Sequence, residues 1–138
     1  MKKYWSKINK ILASEIDPAY KKRAELILKN VKGEKILEIG CGRGFYLKSL
    51  KKMFPKAEIV GVDKNEKYLE KIGVKGIKLI EADAQKLPFS NDYFDNVIAS
   101  EILEHVDNDK VILKEMFRVL KNGGTGMITV PNANYPLA

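Results

Sequence analysis

The chain has one cysteine, Cys41, in 138 residues, so no internal disulfide can staple it and a reducing compartment is expected. No apolar run approaches the ~18–20 residues that cross a bilayer. The charged N-terminus also lacks the apolar core of a signal peptide. Together these absences predict a cytoplasmic protein. There is no arginine-rich block, no internal repeat and no low-complexity stretch, although Lys and Arg outnumber Asp and Glu by 25 to 18 and the net charge is +7. Apart from Lys2, Lys3, Lys7 and Lys10, the lysines are spread along the chain. That distribution favours a solvated basic surface over a dedicated polyanion-binding arm. With 45% hydrophobic residues, the length suits one domain, 1–138, with a helical N-terminal cover over 1–32 and a core over 33–138.

In that core, short apolar runs alternate with helical periodicity. KILEIG, EIVGVD, GIKLIEAD, FDNVIAS and GTGMITVP read as five strands. Helices are predicted from about Arg43 to Met53, closed by Pro55, and over NEKYLEKIG, with Asn65 as N-cap and Gly73 as stop. A further helix is predicted from about Asp107 to Leu120, ending at KNGG. Before the core, Ile8, Ile11 and Leu12 share one helical face, and Ala24, Leu26, Ile27 and Val31 form a second apolar set. Strands that are apolar almost throughout call for a doubly wound α/β fold, a mainly parallel sheet with helices on both faces. A ligand crevice then belongs at the carboxyl ends of the strands.

The ten residues KILEIGCGRG place that crevice. A strand ends in an acid and breaks into a turn with Gly40, Gly42 and Gly44, where side-chain-free backbone and the start of a helix can offer N–H groups to a ligand. Asp63 follows at the end of the second strand, at roughly the ~20-residue spacing where an acid meets the ribose hydroxyls of a nucleotide. The turn is not the dinucleotide pattern G-x-G-x-x-G, because Phe45 and Tyr46 stand where its third glycine belongs. Glu38 would repel a pyrophosphate and suits a cationic ammonium.

E-I-G-C-G-R-G resembles motif I of the class I S-adenosylmethionine-dependent methyltransferases, and the likeness runs from about Lys35 to Pro131. It implies the strand order 3-2-1-4-5 and S-adenosylmethionine as cofactor, with S-adenosylhomocysteine as product. The amino-acid tail would meet Glu38 and the carbonyls of Gly40 and Cys41, with Gly42 and Gly44 giving clearance. Cys41 itself reads as a small residue filling a tight loop. Asp63 would take the ribose diol, Lys64 would lie against the adenine face, Asp83 would accept from the adenine amine, and the Ala84 N–H would meet a ring nitrogen. Ser100 and Glu101 fall where the family contacts the tail and shapes the methyl site. Tyr20 and Arg23 could reach the cofactor carboxylate. Tyr4 and Trp5 read as part of a helix packed on the core, and Pro88 and Phe89 as shaping their loop.

The implied reaction is in-line methyl transfer to an acceptor, with a small molecule favoured over nucleic acid because no RNA-binding module is present. An already nucleophilic acceptor requires no dedicated catalytic residue; for a hydroxyl acceptor, His105 is the candidate base. Glu101, Glu104 and His105 lie at i, i+3 and i+4, and similar E-x-x-E-H arrangements hold a divalent cation in methyltransferases acting on RNA 2′-hydroxyls or quinone-like hydroxyls. His105 packing against the crevice floor, with Glu104 solvated, explains the same residues without metal. Two other readings are a truncated or non-catalytic domain acting through oligomerisation or a partner chain, and an NAD-type oxidoreductase, disfavoured by Glu38 and the glycine spacing. The family's sixth and seventh strands are absent from the sequence. The fifth strand is therefore expected at an open edge: either the sequence is a fragment, or a homodimer or partner chain covers that edge.

Overall fold

The computed structural model describes residues 6–10, 18–42, 44–100, 102 and 108–130, without the side chains of residues 19 and 20. Residues 6–10 are helical. The elements that follow are α1 (Pro18–Asn30), β1 (Lys35–Ile39), α2 (Phe45–Met53), β2 (Glu58–Asp63), α3 (Glu66–Ile72), β3 (Ile77–Glu81), β4 (Phe94–Ser100), α4 (Asp109–Val119) and β5 (Leu120–Thr129). The strands form one five-stranded sheet in the order β3-β2-β1-β4-β5. Every pairing is parallel, as expected from the apolar runs.

Successive residues of each strand point to opposite faces, and both faces are buried. On one, Ile36, Ile59 and Ile98 pack with Ala24, Ile27 and Leu28 of α1, Leu47 and Leu50 of α2, and Leu69 and Ile72 of α3. On the other, Leu37, Val60, Val97 and Ala99 meet Ile112, Met116 and Val119 of α4. Truncating a fully buried residue such as Leu47 to alanine would cost about 2–5 kcal/mol. Gly61 is where helix and sheet approach most closely in β2. A Cβ there would lie 2.5 Å from Leu47 Cδ1 and 3.1 Å from Cys41 Sγ, so the missing side chain lets α2 sit low beneath the glycine-rich turn.

Helix ends follow their capping residues. Asn65 Oδ1 accepts from Lys67 N at 3.0 Å, and Gly73, at φ 58°, ends α3. Phe54 N–H donates to Leu50 O at 2.8 Å just before Pro55 and closes α2. Asn108 caps α4 by accepting from Val111 N at 3.4 Å.

The last strand differs from its predicted form. KNGG does not separate α4 from a strand starting at Gly124; β5 begins at Leu120, directly after the helix. The register steps from Phe94–Leu120 to Asn96–Thr125, so the intervening β5 residues bulge opposite Asp95. Gly123, at φ 79°, supplies the left-handed turn. A Cβ on Gly124 would lie 2.9 Å from the Asp95 carbonyl oxygen, so only glycine fits the close approach.

The end of the sheet away from the crevice is held by Asp95. Its Oδ2 accepts from Glu34 N at 3.1 Å and Lys35 N at 2.9 Å, and its Oδ1 meets Lys121 Nζ at 3.3 Å. Burial pushes the Asp95 carboxyl up, but the two N–H groups and the Lys121 ammonium outweigh it and hold it below the usual carboxylate range. Among the described residues, no helix is long and apolar enough to cross a membrane. Tyr4, Trp5, Ile11 and Leu12 lie outside the described residues.

Candidate functional site

The carboxyl ends of β1, β2, β3 and β4 open into a cleft of about 360 Å³, within the size range of small-molecule sites. Of the residues singled out in the sequence, Gly40, Gly42, Asp63, Lys64, Asp83, Ala84 and Ser100 line it. Tyr68, Gln85 and Ile102 line it as well and were not anticipated. Tyr68 stands in the first turn of α3, and a first-turn residue of a helix following a strand's carboxyl end faces the crevice. That position was the available signal.

The turn between β1 and α2 is left-handed at Gly40 (φ 69°), Gly42 (φ 51°) and Gly44 (φ 79°). A Cβ on Gly42 would meet nothing within 4 Å, so the space beside it is open to a ligand. The expectation that this turn offers free N–H groups is corrected at Gly40, Cys41, Gly42 and Gly44. Gly40 N and Cys41 N both donate to Val62 O, at 2.9 and 3.1 Å, and Gly44 N donates to Cys41 O at 2.8 Å. Gly42 N donates to Asp63 Oδ2 at 3.0 Å. These donors hold the turn against β2, so Gly40, Cys41, Gly42 and Gly44 leave no free N–H for a phosphate.

Behind the turn lies Glu38, 3% exposed, with its Oε1 making no hydrogen bond. Burial pushes the Glu38 carboxyl well above its ordinary range, and the negative charge of Asp63 adds to this, against the lowering effect of the Leu47 N–H. Neither Glu38 nor Cys41 lines the cleft, and Glu38 keeps one unmatched oxygen near a second acid. Cys41 is buried beside it, its thiol pushed up to about 12 by burial first and then by Glu38 and Asp63. It stays a thiol and fills space over Gly61, as expected of a small loop residue.

Asp63 ends β2 with both oxygens engaged. Oδ2 holds the Gly42 N–H, and Oδ1 accepts from Asn65 N at 2.8 Å. Each oxygen retains a second acceptor direction. Across the cleft, Lys64 Nζ lies 3.7 Å from Asp83 Oδ2, an exposed pair contributing about 0–1 kcal/mol. Asp83 Oδ1 accepts from Gln85 N at 2.9 Å, which shapes the turn bearing the buried Ala84. Ser100 Oγ lies 2.9 Å from Thr129 Oγ1, so the ends of β4 and β5 are joined by a hydroxyl pair that sequence reasoning missed.

The remaining expectations fall elsewhere. Gly44 is buried at the start of α2, where a Cβ would meet Ile72 at 2.9 Å, and it does not line the cleft. Arg23 is half-buried in α1 and also does not line it. Phe89 packs edge-on against Phe94 at 5.0 Å, as a loop-shaping residue should, with Pro88 beside it. Glu101, Glu104, His105 and the Tyr20 side chain lie outside the described residues.

Residues 37–128 match a family described as a methyltransferase domain. A demethylmenaquinone methyltransferase of Staphylococcus aureus is 35% identical over 128 residues, covering 88% of this chain and 53% of that protein. The chain thus spans about half the length of the curated relatives it matches. A solved protein of Pyrococcus horikoshii OT3 superposes with a TM-score of 0.73 at 27% identity, covering 99% of this chain and 65% of that one. An S-adenosylmethionine-dependent methyltransferase of Mesorhizobium loti superposes with a TM-score of 0.72 at 26% identity, covering 86% and 55%. With the strand order, the glycine-rich turn and the acid ending β2 already in place, these matches show that the chain belongs to the methyltransferase domain family and has the class I, Rossmann-like fold.

Proposed function

We propose that the cleft binds S-adenosylmethionine and that the chain transfers its methyl group to a small-molecule acceptor. One observation carries the reading: the N–H groups of Gly40, Cys41, Gly42 and Gly44 are directed inward, while the unpartnered Glu38 Oε1 is left behind them. That arrangement selects an ammonium tail over a phosphate. The open space at Gly42 gives the tail room.

When bound, S-adenosylmethionine supplies a methyl group on sulfonium whose departure leaves a neutral thioether, so alignment and exclusion of water provide much of the acceleration. The chain's residues supply both. Glu38 and the carbonyls of Gly40 and Cys41 take the ammonium. Asp63 holds the ribose hydroxyls with the acceptor directions it has left. The Lys64 stem lies against the purine, Asp83 accepts from its amine and the Ala84 N–H meets its ring. Ile39, Val62 and Ile102 keep the wall dry. Ser100, braced by Thr129, marks the acceptor end. A small acceptor agrees with the name of the Staphylococcus aureus relative. A metal-assisted reaction on a hydroxyl would rest on Glu101, Glu104 and His105.

Calorimetric titration with S-adenosylmethionine and S-adenosylhomocysteine tests the proposal. Micromolar affinity is expected, weakened at least tenfold in Asp63→Ala, the loss of about one charge-assisted hydrogen bond. A folded wild type that binds neither ligand would overturn it.

A further inference from the structure

Arg118 and Glu115 sit on the last turns of α4, outside the cleft, yet their hydrogen bonds converge on the connection between β3 and β4. Arg118 donates from Nη1 to Phe89 O at 2.6 Å and to Asn91 Oδ1 at 3.0 Å, and from Nη2 to Leu87 O at 2.9 Å. Its Nε is paired with Glu115 Oε2, and Glu115 Oε1 accepts from Leu87 N at 3.1 Å. Both the N–H and the carbonyl of Leu87 are therefore gripped by one ion pair. The backbone completes the attachment, with Asp92 N donating to Arg118 O and Tyr93 N to Val119 O, each at 2.9 Å.

The same connection begins with the cleft wall. Asp83, Ala84 and Gln85 line the cleft, and Lys86 N closes the turn onto Asp83 O at 2.9 Å. Only Lys86 separates Gln85 from the gripped Leu87, which is itself 4% exposed. The connection from Ala82 to Tyr93 has no helix or strand of its own. A loop of that length takes its shape from what anchors it. A lysine could not replace Arg118, because a single ammonium cannot reach the separate carbonyls of Leu87 and Phe89 while also pairing with Glu115.

We infer that the Arg118–Glu115 pair is a positioning unit that fixes the Asp83–Gln85 wall and thereby sets the cleft's selectivity for an aminopurine. The inference rests on the cofactor reading above and extends it to residues that touch no ligand.

The test uses a readout that loss of stability alone does not move, the ratio of affinities for S-adenosylhomocysteine and S-inosylhomocysteine. Inosine replaces the amine facing Asp83 with a carbonyl and the ring acceptor facing Ala84 with an N–H, reversing both contacts. Wild type should prefer the adenine ligand by roughly tenfold or more. In Arg118→Lys and Glu115→Gln, checked for folding by thermal melts, that preference should collapse to within about twofold of unity. If Arg118→Lys does not fold, Glu115→Gln still answers, because its amide oxygen can accept from Leu87 N while its pairing with Arg118 is weakened. Folded variants that discriminate as wild type does would overturn the inference alone, as would a wild type binding both ligands equally. A wild type that binds neither would remove the cofactor reading and this inference with it.

Discussion

Replacing Glu38 with glutamine should move stability and binding in opposite directions. The carboxyl is almost fully buried, one oxygen is unmatched, and Asp63 opposes its ionisation. Its folded pKa lies above the unfolded value of ~4.3, so the folded chain keeps this proton over a pH range where the unfolded chain has lost it. Stability from this group is therefore fully present below the unfolded pKa and declines as pH rises toward the folded value. Glutamine keeps the shape and removes the charge. Relieving an unmatched buried charge is worth about 1–3 kcal/mol, discounted to ~1–2 because the amide is not fully matched either. For a chain of this size that raises the melting temperature by roughly 4–8 °C at pH 8. The gap should narrow as pH falls to 5, where the wild-type carboxyl is more fully protonated. Binding should go the other way. Loss of a charge-assisted contact of ~1.5–3 kcal/mol weakens S-adenosylhomocysteine by about 10–150-fold. Melts at pH 5 and 8 without ligand, with calorimetry at pH 8, measure both. A variant no more stable than wild type at pH 8, with unchanged affinity, would refute the assignment of Glu38 as a destabilised acid awaiting a cation.

Three further outcomes are expected. With its thiol pushed up to about 12, Cys41 should react with iodoacetamide at pH 8 at least ~1,000-fold more slowly in the native chain than in urea; comparable rates would contradict its buried setting. Asp95→Ala should cost about 2–3 kcal/mol through the lost N–H acceptor and the Lys121 pair. Because the Asp95 pKa is depressed, its contribution is present above the unfolded value of ~3.9 and lost as pH falls through the folded one, so wild type and variant should converge in acid melts. Among the described residues β5 lies at the sheet edge, with Ile128 42% and, just after the strand, Val130 54% exposed, so light scattering at tens of micromolar should report a dimer or larger; a clean monomer rules this out.

The inner strands β1, β2 and β4 were legible because both their faces are buried, and an apolar run bounded by glycine, proline or a capping residue has few alternatives; the edge strands β3 and β5 are half-exposed and were read from shorter apolar runs. FDNVIAS matches β4 residue for residue, and Asn65 and Gly73 end α3 by the chemistry their types supply. The acids at strand ends were legible for the same reason, since position along a strand fixes position around the crevice. KNGG was misread because a glycine pair signals a break equally well when the chain bulges and stays paired. The Arg118 grip left no trace in the sequence, since its partners at Leu87, Phe89 and Asn91 are mostly carbonyls of a loop with no period. The inward donation of the turn's N–H groups depends on the Val62 carbonyl and the Asp63 carboxylate arriving from the neighbouring strand, which residue types alone do not declare.

Gly61 ties two positions into a single unit of change. Its backbone is ordinary strand, so only space excludes a side chain, and that space is occupied by Leu47 from above and Cys41 from the side. A methyl group at 61 would press on the Leu47 methyls and the Cys41 sulfur, which pack beneath the glycine-rich turn of a pocket that Gly61 does not line. Growth at position 61 therefore presses on the Leu47 side chain, and a relative with alanine at 61 should carry a smaller or differently placed side chain at 47. The seating of α2 under the turn thus depends on side-chain volumes at Gly61 and Leu47, residues that do not themselves line the cleft.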